Sequence, residues 1–205
     1  MSGRAGSQRI WPLAVETAVT ADRIYMSATH SGQPVFVLAG SASDATLWLR
    51  RNDPERVVKA PAGAIVDAIL GLSVPPERLL AVLTGCVTRA FDVVSAVEYD
   101  GLLGIGTADA RVFLQRIGAA WRPRAGVLEG FTVEFGWESS PLPARVWIQS
   151  TPGREPRASV TLTVSDAAVD EPIPATVFTA PAGASRAEPM TLEELRSVGA
   201  WKERD

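Results

Sequence analysis

The spacing of the apolar residues changes in one segment of this chain, AIVDAILGLSVPPERLLAVLTGC, which runs from Ala64 to Cys86. Two groups of apolar residues lie there at helical spacing, on either side of a Pro-Pro corner: Ile65, Val66, Ile69 and Leu70, and then Leu79, Leu80, Val82 and Leu83. Residues three or four positions apart share one face of an α-helix. The segment therefore predicts two short helices, the first ending at Gly71 and the second starting after Ser73 and ending at Gly85.

The same segment is too polar and too interrupted to cross a membrane. It contains Asp67, Glu77 and Arg78 together with two prolines, whereas a spanning helix needs about 18 mostly apolar residues in a row. Helices this apolar must be covered by protein on more than one side. We expect either an ordinary core helix pair or the cover of an apolar cavity.

Most of the remaining chain has the spacing of β-strands. Apolar residues alternate with polar ones in three segments of the second half: Phe131, Val133, Phe135 and Trp137; Val146 and Ile148; Val160, Leu162 and Val164. Alternation of this kind is typical of antiparallel strands with one apolar face and one more polar face. Shorter strands are expected in the first half, at 23–30, 34–40, 45–51 and 56–59, separated by turns rich in Gly, Asn, Asp and Pro.

Length, charge and cysteine content narrow the class of protein. The chain has 205 residues and no linker or internal repeat, so we expect one domain over residues 1–205. The formal net charge of −3 and the scattered basic residues give no reason to expect a nucleic-acid partner. The one cysteine, Cys86, excludes an internal disulfide, and its place at an apolar helix end predicts a buried thiol.

The sequence offers few groups for catalysis. The one histidine, His30, lies at the end of a predicted strand without an evident partner, which favours a solvent-facing side chain. The glycines between Gly101 and Gly106 fall inside a strand-like run and do not open a helix, so they indicate bends in a sheet and not a phosphate-binding loop. We expect no enzyme, no catalytic residue, no metal site and no cofactor.

Tryptophans leave two interpretations open. Four of the six lie on predicted strands: Trp48, Trp121, Trp137 and Trp147. They either cover sheet edges and stay partly exposed, which is common for tryptophan, or line an apolar pocket.

The last part of the chain predicts a crossing loop and a helix. Phe178 follows the turn-rich segment DEPIP and is expected to anchor a loop that crosses the end of the sheet. Thr191-Leu192-Glu193-Glu194 has the capping-box pattern, in which Thr191 is the N-cap and Glu194 reaches back to it.

The order of these parts resembles the periplasmic lipoprotein carrier and outer-membrane lipoprotein receptor superfamily, the Lol system, and its bacterial lipoprotein relatives. Four segments carry the resemblance: PVFVLAGSASDATLWLR, AIVDAILGLSVPPERLLAVLTGC, VEFGWESSPLPARVWIQS, and VSDAAVDEPIPATVFTAP with TLEELR. The resemblance implies a mainly β protein with some α (α+β). Its single curved antiparallel sheet would form an incomplete β-barrel, with short helices covering the concave side.

The resemblance also implies a function without catalysis. The space between helices and sheet would hold lipid or the acyl chains of a lipoprotein, in the periplasm or at the periplasmic face of the outer membrane. The resemblance implies an envelope protein as a partner and membrane association only through a lipid anchor. We expect neither this anchor nor a signal region within residues 1–205.

Both candidate functions depend on the same apolar residues. The predicted ligand-binding residues are Ile65, Val66, Ile69, Leu70, Leu79, Leu80, Leu83, Phe131, Val133, Phe135, Trp137, Val146, Ile148 and Leu162. In the alternative function, a structural or interaction lipoprotein of the envelope, the same residues form a dry core without a ligand.

Overall fold

Strands are the main regular element in the computed structural model of this chain. It describes residues 1–5, 8–72, 74, 76–87, 93–108, 110–151, 153 and 157–198. The first seven strands are β1 (Ser2–Ala5), β2 (Gln8–Ile10), β3 (Ala14–Val19), β4 (Arg23–His30), β5 (Gln33–Ser41), β6 (Ala45–Leu49) and β7 (Arg56–Ala60). Helices α1 (Ala62–Leu70) and α2 (Pro76–Thr84) follow.

A second run of strands begins after the helices. Its members are β8 (Ser95–Tyr99), β9 (Leu102–Gly106), β10 (Arg111–Ile117), β11 (Ala120–Leu128), β12 (Phe131–Gly136), β13 (Arg145–Ser150) and β14 (Ala158–Thr163). Two 3₁₀ turns (Ala175–Phe178 and Ala182–Arg186), a short strand β15 (Glu188–Pro189) and helix α3 (Leu192–Val198) complete the described elements.

The strands form two sheets, and the prediction of a single sheet is wrong. One sheet has six strands in the order β15-β7-β6-β5-β4-β3, and the other has nine in the order β2-β1-β14-β13-β12-β11-β10-β9-β8. The chain passes between them at Trp11-Pro12-Leu13, directly after β2 and before β3, where Pro12 has no N–H to donate to a ladder. The spacing of apolar residues predicts strands and their faces, but it does not predict how the strands are divided between sheets.

In the nine-stranded sheet, the alternation seen in the sequence becomes a buried and an exposed face. Phe131, Val133 and Phe135 of β12 are all buried, and Ile148 lies opposite Val133 in the antiparallel ladder. Val160 lies opposite Ile148 in turn, so the three predicted strands are neighbours as expected. We call the side that carries Val133 the core face of this sheet and the opposite side its outer face.

Both predicted helices are confirmed, and glycines end them. Gly71 has a φ of +67° and donates its N–H to the carbonyl of Asp67, which closes α1. Gly85 follows α2 with a φ of +70°. A left-handed residue is favourable for glycine, which has no Cβ to collide with the chain. Pro76 opens α2, while Ser73 and Pro75, predicted to precede it, lie outside the described residues.

One apolar core joins both sheets and all three helices. Its buried members include Leu38 and Leu47 from the six-stranded sheet, Val133 from the nine-stranded sheet, Ile65 from α1, and Leu195 from α3. Helix α1 lies against α3, β1, β6 and β7, whereas the main contact of α2 is with β3. The core therefore lies between the two sheets, with the helices at its side.

The segment after β14 covers the other face of the six-stranded sheet. Phe178 is buried, and its 3₁₀ turn contacts β4 and β5, so the predicted anchor is confirmed. A Cβ at Gly183 would collide with the Trp48 ring, so only glycine permits this approach. The capping box is also confirmed: Thr191 donates its N–H to the Glu194 carboxylate (2.7 Å), and the Glu194 N–H is donated to Thr191 Oγ1 (3.2 Å).

Candidate functional site

Most of the predicted ligand-binding residues lie in the shared core. Those that are buried there are Ile65, Val66, Ile69, Leu79, Phe131, Val133, Phe135, Val146 and Ile148. Four others are partly buried against it: Leu70, Leu83, Trp137 and Leu162. Leu80 is half-exposed and does not belong to this cluster.

The centre of this region is closely covered by protein. Ile65 and Phe135 have 0 % of their surface exposed, and Val82 on α2 has 1 %. A solvent-sized void beside these side chains would appear as exposed surface. An apolar ligand therefore reaches them only if part of the cover moves.

The core is less well covered towards one end of the nine-stranded sheet. Val112 of β10 is fully buried, but Ile105, its partner on β9, is half-exposed on the same face. Leu103 and Leu114, which pair with each other one step further along, are half-exposed as well. The core face thus continues from the closed centre to an apolar margin, which we call the β9–β10 margin and define by Leu103, Ile105 and Leu114.

Sequence reasoning missed this margin. The run from Leu102 to Gly106 was interpreted as a strand bent by glycines, and β9 confirms the strand. The signal for the face was the alternation of Leu103 and Ile105 with glycine. This alternation is a weak signal, because glycine at the intervening positions leaves no polar residue on the opposite face of the strand.

The end of α2 is held next to Trp137. A Cβ at Gly85 would lie 2.8 Å from the Trp137 ring, so the backbone and the ring are in close contact. The ring is fixed on two further sides, because its indole N–H donates to the carbonyl of Pro123 (2.6 Å) and the Arg122 guanidinium lies 4.9 Å from the ring centre. Trp137 is therefore a rigid wall at the point where α2 ends.

Several of the other tryptophans have a covering role. Trp48 donates to the Glu55 carboxylate (3.0 Å) and is stacked by Arg50, and Trp147 is stacked by Arg145. Trp121 is 42 % exposed near the end of β11. Of the four predicted strand tryptophans, Trp137 alone packs against the described core, and it lies one residue after β12 ends.

Helix α2 carries Arg78, a partly exposed arginine with one buried guanidinium nitrogen. Nη1 of Arg78 is inaccessible to solvent and has no hydrogen-bond partner among the described residues. An unsatisfied buried donor costs about 1–3 kcal/mol, and more for a charged group. The guanidinium is thus available to an anionic group that enters next to α2.

An open depression with a mixed polar and apolar lining lies at the end of the six-stranded sheet. It has a volume of about 430 Å³ between the β4–β5 hairpin and the end of β6, and its lining includes His30, Arg50 and Arg51. His30 ends β4 as predicted; its Nδ1 lies 2.9 Å from the carbonyl of Pro12, and its ring lies beside Trp11. No hydroxyl, imidazole and carboxylate arrangement for nucleophilic catalysis is formed by these lining residues.

Among the described residues, Cys86 lies at the surface and no group of potential metal ligands is formed. Cys86 is exposed, so the prediction of a buried thiol is wrong. The left-handed Gly85 turns the chain off the helix before Cys86, so its side chain does not continue the buried face of α2. Within residues 1–198, apart from the gaps given above, no three His, Cys, Asp or Glu side chains are grouped to hold a metal ion.

Helix length and the comparisons with known proteins both bear on the class of this protein. Among the described residues, no helix combines the length and the apolar character needed to span a membrane. A scan against protein-family models, a search of curated proteins and a search of solved structures each find no significant match. The resemblance to the Lol superfamily therefore rests on the sequence segments alone.

Proposed function

We propose that this protein binds lipid or the acyl chains of a lipoprotein between α2 and the core face of the nine-stranded sheet, without catalysis. The observation that carries the proposal is the half-exposed β9–β10 margin, which adjoins the buried Val112 of the shared apolar core. In this proposal the two sheets act together as the curved wall of an incomplete barrel, and α2 is the part of its cover that moves.

The balance of burial favours entry of an acyl chain. Burial of each methylene contributes about 0.8 kcal/mol, so a chain of about 14 carbons gains on the order of 11 kcal/mol. Displacing α2 would expose Leu79 and Val82, at about 1.5–3 kcal/mol each. The gain exceeds that cost, even if the ligand buries only part of its length.

Arg78 supports a ligand with an anionic head. Its buried Nη1 lacks a partner among the described residues, and a carboxylate or phosphate beside α2 would supply one. Free fatty acid is then expected to bind more tightly than its methyl ester, and the difference should shrink in Arg78→Leu.

Location and partners follow from the same proposal. From the resemblance to the Lol superfamily, we propose that it acts in the cell envelope, in the periplasm or at the periplasmic face of the outer membrane. Its partners there would be acylated lipoproteins, lipids or an envelope protein that exchanges them.

Native purification tests the proposal. Organic extraction followed by mass spectrometry should find a bound acyl species, and a fluorescent fatty acid should bind and be displaced by unlabelled fatty acid. Ile105→Arg places a charge on the margin and should weaken probe binding at least tenfold. The matched control Val127→Arg lies on the outer face and should bind as the unaltered protein does.

The close packing of the core favours the second candidate, a structural or interaction protein with a dry core. In that case extraction yields no acyl species and the probe does not bind. That result would overturn the lipid-binding proposal.

A further inference from the structure

One edge strand of the nine-stranded sheet is open on both faces. In the described part of the chain β8 pairs only with β9, and Ser95, Ala96, Val97 and Glu98 all have exposed side chains. Val97 is 65 % exposed, and Val94, just before the strand, is 74 % exposed. An exposed apolar edge offers both unpaired backbone groups and uncovered side chains to another strand.

The other three sheet edges are protected. The edge strand β15 has two residues, one of which is Pro189, and β3 lies against α2. The third edge, β2, has three residues and carries Arg9, whose guanidinium lies over Trp11. Short length, proline, charge and a covering helix are the usual ways in which proteins prevent edge pairing. Strand β8 has five residues, no proline, no basic residue and one acid, Glu98.

We propose that β8 pairs with β8 of a second copy of this chain, antiparallel and about a two-fold axis at Val97. In this register Val97 faces Val97 of the partner copy and Glu98 faces Ala96, so no like charges lie opposite each other. A parallel in-register pair would place the two Glu98 carboxylates side by side, which is unfavourable.

The outer face supports the same register. Val97 lies opposite Gly104 in the ladder, and Phe113 on β10 lies opposite Gly104 from the other side, where its ring would be 3.7 Å from a Cβ at that glycine. Pairing at Val97 therefore joins two rows of apolar side chains into one. A five-residue strand pair falls short of the roughly 1,000 Å² of a stable interface, so the dimer should be weak and depend on concentration.

Sedimentation and cross-linking test this proposal independently of lipid binding. The mass measured by sedimentation equilibrium should rise from 21.8 kDa towards twice that value as the concentration approaches about 0.5 mM, where even a complex of near-millimolar Kd is populated. Val97→Lys should keep the protein monomeric, whereas Val127→Lys, on the same face but three strands inward, should not.

Cysteine variants test the register. In a Cys86→Ser background, Val97→Cys should form a disulfide dimer on mild oxidation, and Val127→Cys should not. A chain that stays monomeric at 0.5 mM, or one that cross-links equally at both positions, would overturn the proposal. Higher oligomers in place of a dimer would overturn the two-fold arrangement and indicate open-ended edge pairing.

Discussion

Helices α1 and α2 have the same length, but α1 is the more apolar of the two and the fold covers it more completely. Five residues of α1 are buried, among them Ile65 and Ile69, and the helix is enclosed by α3 and three strands. Three residues of α2 are buried, and Leu80 and Leu83 remain partly exposed. The more apolar helix is thus also the one with more elements packed around it, and we assign it to the permanent core.

The difference suggests how a protein with a closely packed centre admits a ligand. Local opening takes place where few apolar contacts hold an element. Displacing α1 would disrupt contacts with both sheets, whereas displacing α2 exposes mainly Leu79 and Val82. We therefore assign the fixed part of the cover to α1 and the movable part to α2.

Truncation of the two helices should separate their roles most strongly. Ile65→Ala removes a fully buried side chain and should lower the free energy of unfolding by about 2–5 kcal/mol. Leu83→Ala removes a half-exposed one and should cost about 1 kcal/mol, since little transfer free energy is lost. Urea unfolding measures both values. Equal losses for the two variants would contradict the comparison.

The contact between α2 and Trp137 should have the next largest effect. Gly85→Ala forces a side chain into a left-handed residue, at about 1–2 kcal/mol, and also places a Cβ 2.8 Å from the Trp137 ring. Gly32→Ala is a matched control, because Gly32 has a φ of +77° with no atom within 4 Å of the added Cβ. The stability lost by Gly85→Ala should exceed that lost by Gly32→Ala, and the tryptophan emission should change in Gly85→Ala. Equal losses would indicate that the ring does not hold α2.

The cap of α3 should have the smallest effect, and it should depend on pH. Hydrogen bonds from the backbone N–H and the hydroxyl of Thr191 lower the pKa of Glu194 below its ordinary value. A lowered pKa in the folded state stabilises the protein above the unfolded pKa of about 4.3, and this contribution disappears as the pH falls through the folded value. Glu194→Gln should therefore be less stable than the unaltered protein at pH 7, and the two should converge at acidic pH, as the Glu194 carboxylate becomes protonated in the folded state.

Glu193→Gln is the matched control for this cap. Its carboxylate is next in sequence but takes no part in the described capping hydrogen bonds, so the same substitution should change stability little at either pH. A pH-dependent loss of the same size in both variants would show that overall charge, and not the cap, is responsible.

Local patterns in the sequence predicted the elements and their ends well. Alternation located β12, β13 and β14, the two glycines ended the helices, and Thr191 with Glu194 gave the cap of α3. Each of these features depends on residues a few positions apart. Interactions between residues close in sequence are sufficient to specify these features.

The features that sequence reasoning missed depend on distant parts of the chain. The division into two sheets follows from the interruption at Pro12 and from β1 pairing with β14, which are far apart in sequence. The exposure of Cys86 is a local exception, because it follows from the direction in which the neighbouring Gly85 turns the chain. The residues that cover α1 but not α2 come from strands and from α3, so they could not be identified from the sequence of the two helices.

Hydrogen exchange of the two helices tests the central claim most directly. Amides of α2 should exchange faster than those of α1, and adding a fatty acid should change the exchange of α2 and the β9–β10 margin while α1 stays as it was. If both helices exchange at one common rate and fatty acid changes neither, α2 is part of a closed core and the lipid-binding account is wrong.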